Sequence, residues 1–106
     1  MTETAMDDAF LKANAANFVP LSPLSHLARA ADLWPDRPAV IYGNRRYSWA
    51  DMRSRARRLA SALVAHGVTR DVVVAVMAAN TPEIFEAHFG VPLSGGVLNT
   101  INTRLD

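Results

Sequence analysis

Three histidines, His26, His66 and His88, are the side chains here best suited to metal binding or proton transfer. They lie far apart in sequence, and none has a second ligand type at metal-binding spacing. A zinc site needs three or four converging ligands, so no metal centre is expected from them. His88 is the most informative. On a helical wheel it falls between Ile84 and Val91, inside an apolar stripe. One reading makes it a proton carrier facing a pocket. The other makes it a core histidine with one hydrogen bond satisfied, and its apolar neighbours favour this second reading.

Other constellations lead no further. Arg53, Arg55, Arg57 and Arg58, with Ser54 and Ser61, resemble a phosphate-binding patch. Nucleic-acid binding would want a net basic charge and interleaved aromatics. The formal net charge is only +1, so a solvated helix face is expected. Gly95-Gly96 has neither the G-x-x-x-x-G-K-[ST] nor the G-x-G-x-x-G spacing of a phosphate loop. It ends a helix and so presents carbonyls where an anion needs N–H groups. There is no G-x-S-x-G elbow, and only Asp7-Asp8 stands out as a pair of carboxylates. No residue is therefore nominated as catalytic, cofactor-binding or metal-ligating.

The elements that would position such residues are well marked. Residues 1–21 read as a lead-in without sustained periodicity, with Phe18, Val19 and Leu21 expected to dock onto the body. Ser22-Pro23 opens a helix by capping and by a proline at its first position. Leu24, Leu27, Ala31 and Trp34 recur at helical spacing until Pro35. Two β-prone runs, 39–42 and 45–48, flank Gly43-Asn44, a hairpin signal. Ser48, with Asp51 three residues on, predicts a capping box. The helix it opens carries Met52, Ala56, Leu59, Ala60, Leu63 and Val64 on one face and ends at Gly67. Residues 72–77 are almost all apolar, which predicts a strand covered on both faces. Thr81-Pro82-Glu83 predicts a capped, largely buried helix with an irregular last turn at Pro92. Gly95-Gly96 turns the chain into a strand at 97–101. Helix–strand–helix–strand order implies an α/β fold with parallel strands and right-handed crossovers.

Composition narrows the class. The chain has 106 residues, 50% hydrophobic and 20% charged, a globular balance. The absence of cysteine removes disulfides, thiolate metal sites and a thiol nucleophile. Glu3, Asp7 and Asp8 stand where a secretion signal would be basic. No apolar run approaches the roughly 20 residues of a membrane span. The cytoplasm is the default compartment.

Residues 17–42, NFVPLSPLSHLARAADLWPDRPAVIY, resemble the opening of AMP-forming acyl-CoA synthetases, members of the adenylate-forming enzymes. RRYSWADMRSRARRLASALVAHGV at 45–68 resembles their next segment, as does VVVAVMAANTPEIFEAHFGVPLSGGVLNTINTRLD at 72–106. The ending VLNTINTRLD is most similar to synthetases for small to medium carboxylic acids. The resemblance implies a carboxylate–CoA ligase that uses ATP and Mg²⁺ to make an acyl-adenylate, from which coenzyme A displaces AMP. It implies that residues 22–106 are the N-terminal part of the large domain of such an enzyme, stopping before the phosphate loop. The ribose-binding acid and the adenylating lysine would lie further on. No family catalytic residue maps onto this chain, so the 106 residues alone are expected to be inactive. A stop in mid-domain would leave strands such as 72–77 without part of their covering layers, so the chain is also expected to be marginally stable. Asn80-Thr81-Pro82-Glu83 matches a recurrent family turn, read here as helix capping. Asn99 to Arg104 is placed near the active-site side, since ligands gather at strand carboxyl ends. Carboxylic acid, ATP and CoA are the implied partners, without nucleic acid or a membrane span. A non-catalytic α/β interaction module, or one half of a split synthetase with a separately encoded remainder, stays open as the alternative.

Overall fold

The computed structural model describes residues 12, 14–16 and 18–104. Helix α1 spans Pro23–Leu33. The Ser22 hydroxyl accepts from the Leu24 N–H at 3.2 Å, and Pro23 occupies the first turn, where no donor is needed. Trp34 closes the helix by donating its N–H to the Ala30 carbonyl at 2.8 Å. Leu27 and Ala31 form the buried stripe.

Strands β1 (Pro38–Tyr42) and β2 (Arg45–Ser48) pair antiparallel, with Tyr42 opposite Arg45. Of the two turn residues only Gly43 takes a positive φ, at 60°. That is the arrangement with glycine at the first central position of a two-residue hairpin loop.

Helix α2 spans Trp49–Ala65. Its capping box forms in both directions. The Asp51 N–H donates to the Ser48 hydroxyl at 3.1 Å, and the Ser48 N–H donates to the Asp51 carboxylate at 2.9 Å. The Ser48 N–H, followed by the Ser48 hydroxyl, holds the Asp51 carboxyl below its ordinary range. Ser48→Ala is expected to cost about 1 kcal/mol, seen as a lower urea midpoint with an unchanged m-value.

Strand β3 (Val73–Met77), helix α3 (Pro82–Leu93) and strand β4 (Val97–Ile101) complete the chain. The strands are parallel, in register from Val73–Val97 to Met77–Ile101, and α3 is the crossover between them. The helix continues through Pro92 to Leu93. Gly95, at φ 92°, then reverses the chain.

The core lies where α1, α2, the hairpin and α3 meet. Leu27, Met52 and Ala56 are its centre, with Val40, Tyr47, Trp49 and Phe89 packed against them. The helices α2 and α3 approach closely at Gly90, where an added Cβ would stand 2.5 Å from a Leu59 methyl.

Burial departs from expectation at several places. Phe18, Val19 and Leu21 do not dock: they are 55%, 74% and 89% exposed, because no described element covers them. Residues 73–77 stand open on one face, as expected of a strand that lacks part of its covering layers. Val74 and Val76 are partly buried while Val73, Ala75 and Met77 are exposed, since β3 has a single strand partner and α3 as its crossover. Helix α3 is buried only along Pro82, Glu86, Ala87, Gly90 and Val91, leaving Phe85 and Leu93 outside. Val64, placed on the apolar face of α2, is likewise 56% exposed.

Candidate functional site

At the carboxyl ends of β3 and β4 the chain forms an open groove of about 1090 Å³. One wall is the β3–α3 turn, Ala78 to Thr81, followed by Ile84, Phe85, His88 and Phe89 of α3. The other is Thr100 to Arg104, running off the end of β4. Phe85 and Phe89 meet edge to face, their centroids 5.2 Å apart. Ligands gather at such strand ends in α/β sheets; of residues 99–104, Thr100 to Arg104 line the groove and Asn99 does not.

His88 lies on this groove and is exposed, which corrects the core placement. The helical-wheel neighbours were right, but α3 buries its Glu86–Gly90 side and turns the His88 side outward. Its Nδ1 lies 2.8 Å from the Ile84 carbonyl. His66 makes the same contact with Ala62 at the end of α2, and His26 is exposed on α1. The three histidines are not brought together, and among the described residues no three His, Asp or Glu side chains converge as metal ligands.

The first turn of α3 holds a different kind of chemistry. Thr81 stands at the N-cap but makes no side-chain cap, its hydroxyl donating instead to the Ala79 carbonyl at 3.3 Å. This corrects the side-chain cap expected of Thr81, while Pro82 in the first turn and the acid Glu83 stand as expected. Glu83 sits at the positive end of the helix and accepts from Arg45 at 2.7 Å. The same guanidinium donates to the Tyr47 hydroxyl at 2.6 Å. On the other side of Tyr47, Arg55 lies 4.6 Å from the ring centroid and donates to the Glu86 carboxylate at 3.2 Å. Arg55 is therefore not part of a solvated face. Arg57 and Arg58 do remain exposed on α2, while Arg53 pairs with Asp32 at 2.6 Å. Nothing in the sequence paired these residues across 31 and 38 positions. The one available signal was Glu86, an acid inside an apolar stripe.

Hydrogen bonding by Arg45 moves the Glu83 carboxyl from its ordinary 4.5 down to about 2. A carboxyl lowered in the folded state contributes stability above its ordinary pKa and loses it as pH falls through the folded value. Stability should thus decline as pH drops from about 4.5 towards 2. Glu83→Gln should flatten that decline, leaving the part due to Asp51. Urea unfolding at a series of pH values measures both.

These residues do not fit Mg²⁺ or a triphosphate. The helix N-terminus at the end of β3 already holds the Glu83 carboxylate. The turn before it, Ala78 to Thr81, lacks glycine, and Pro82 at the first helical position has no N–H, so few backbone donors are offered.

Residues 27–106 match the AMP-binding enzyme family. The chain belongs to this family. Relatives of the AMP-binding segment include a peroxisomal benzoate–CoA ligase of Arabidopsis thaliana, 48% identical over 101 residues. That alignment covers 95% of this chain and 17% of the relative. A peroxisomal trans-cinnamate:CoA ligase of Petunia hybrida is 47% identical, covering 86% of this chain and 16% of the relative. The chain thus spans about one sixth of these relatives. Among solved structures, a fatty acyl CoA synthetase of Mycobacterium tuberculosis superposes with a TM-score of 0.71 at 31% identity, over 74% of this chain and 16% of that one. The N-terminal subdomain of Klebsiella oxytoca NpsA superposes at 0.75 over 80% of this chain and 22% of that one, and at 19% identity it shares the fold. No helix among the described residues is long and apolar enough to cross a membrane.

Proposed function

We propose that this AMP-binding segment is the scaffold end of a carboxylate–CoA ligase. The whole enzyme would activate a small to medium carboxylic acid with ATP and Mg²⁺ through an acyl-adenylate, then pass it to coenzyme A. The observation that carries this reading is the 48% identity to a benzoate–CoA ligase across 95% of the chain. Residues 22–106 then form part of a larger domain and contribute packing surface rather than reacting groups. The open apolar side of β3 and β4 supports this, because Val73, Met77 and Val97 are 61%, 62% and 48% exposed. Such a surface ordinarily meets another layer.

The test is carboxylate-dependent pyrophosphate release with ATP, Mg²⁺, CoA and a panel of short to medium acids. The 106-residue chain alone should give none, and turnover would overturn the scaffold reading. The open strand face also favours a second reading, one half of a split synthetase. Activity that appears only when the remaining five sixths of a homologous ligase is added in trans would support it. Cytoplasmic residence is the sequence default, and the peroxisomal names of the relatives supply the alternative. Microscopy of the tagged gene product decides between them.

A further inference from the structure

The hairpin packs on α2, and from it α3 is reached by side chains. Arg45, on β2, makes that reach. It grips Glu83 with two nitrogens, at 2.7 and 3.5 Å, while Nε and Nη2 both donate to the Tyr47 hydroxyl at 3.1 and 2.6 Å. Tyr47 is itself backed by Arg55, which is fastened to the nearly buried Glu86 one helical turn beyond Glu83. Two carboxylates of α3 are therefore tied to the hairpin and to α2 through one phenol and two guanidiniums. The planar fork reaches the hydroxyl and both carboxylate oxygens from three separate nitrogens, a geometry that lysine's single nitrogen cannot reproduce, so lysine would not be equivalent at position 45.

The location gives this arrangement its consequence. Glu83 is in the first turn of α3, and the residues just before it, Asn80 and Thr81, form a wall of the groove. Thr81 does not cap the helix with its side chain. At the start of the turn the Phe85 N–H reaches the Thr81 carbonyl at a long 3.4 Å, and the Glu83 carboxylate also accepts from its own N–H. Arg45 adds a hold from outside the helix.

We propose that Arg45 is a positioning residue, a latch by which the hairpin holds the first turn of α3 and so fixes the groove wall at Asn80-Thr81. This rests on the fold and the ion-pair geometry, not on the ligase reading, and a failed activity assay leaves it intact. The latch is partly exposed, with the Arg45 and Glu83 side chains at 38% and 50% accessibility. It should be a local device rather than a main source of stability.

The experiment is residue-resolved amide hydrogen exchange on the 106-residue chain at neutral pH. Arg45→Gln and Glu83→Gln should each speed exchange at Phe85 and Glu86 by about fivefold while Ala56 and Ala60 of α2 stay unchanged. The double variant should add nothing further, and Arg45→Lys should recover only part of the protection. The exchanged pair Arg45→Glu with Glu83→Arg should recover more than either single reversal. Unchanged exchange at α3, a uniform increase at every amide, or additive single effects would each overturn the proposal. Should a variant fail to fold, the wild-type chain carries the test. Raising salt to about 1 M screens partly exposed charges and should speed exchange at Phe85 selectively. A flat response there would overturn the latch.

Discussion

Gly90→Val should lower the stability of the chain by about 3 kcal/mol or more, enough to populate the unfolded state under native conditions. At Gly90 α3 carries no side chain, and the Leu59 side chain of α2 packs directly against its backbone. A Cβ there would stand 2.5 Å from the Leu59 Cδ2, 2.9 Å from its Cγ and 2.9 Å from its Cβ. The Leu59 methyl can swing away, but its Cβ is fixed to the backbone of α2, so the helices themselves must separate. That separation loosens Phe89, which packs on the core beside Gly90. Gly90→Ala meets the same Cβ clash but regains about 1 kcal/mol of helix propensity, so its loss should be smaller. Chemical denaturation followed by circular dichroism distinguishes the two. A valine variant as stable as the wild type would mean that the two helices do not meet at Gly90.

Met52→Ala should cost about 3 kcal/mol, within the 2–5 kcal/mol usual for such truncations. Met52 is fully buried and touches the cluster shared by α1, the hairpin and α3. Its removal opens a cavity at the point where these elements join, so cooperativity should suffer along with stability. The far-ultraviolet signal should survive better than the near-ultraviolet signal of Trp49 and Tyr47, which pack there. Arg57→Ala, on the exposed side of the same helix, should change stability by no more than about 0.5 kcal/mol. The open face of β3 and β4 leaves this chain less apolar burial than a closed domain. A loss of this size should therefore be visible as a large fall in the folded fraction.

Much of the scaffold was legible before any coordinates. Ser22-Pro23, Ser48 with Asp51, Gly43-Asn44 and Gly95-Gly96 act through bonds and dihedrals within a few residues, so their signals are local. The starts of α1 and α2, the hairpin turn and the end of α3 all fall where those signals put them. Thr81 was misread because a residue at the N-cap position can turn its hydroxyl elsewhere. Here it goes to the Ala79 carbonyl, two residues back. His88 was misread for a related reason. Periodicity shows that a helix has an apolar stripe, but α3 is apolar nearly all round, so its period could not say which side faces α2. Gly90, as the close-approach point, decided that and left His88 on the groove.

The sequence by itself therefore determined the element order, the α/β class and the family, because each is written in short-range patterns or in the order of matching segments. Tertiary structure alone decided which residues share a site. The groove joins 78–89 with 100–104, and the latch joins position 45 with 83 and 55 with 86. Ion pairs of that separation have no periodicity and no fixed spacing. They exist because packing α3 across α2 happens to bring two carboxylates beside two guanidiniums and one phenol.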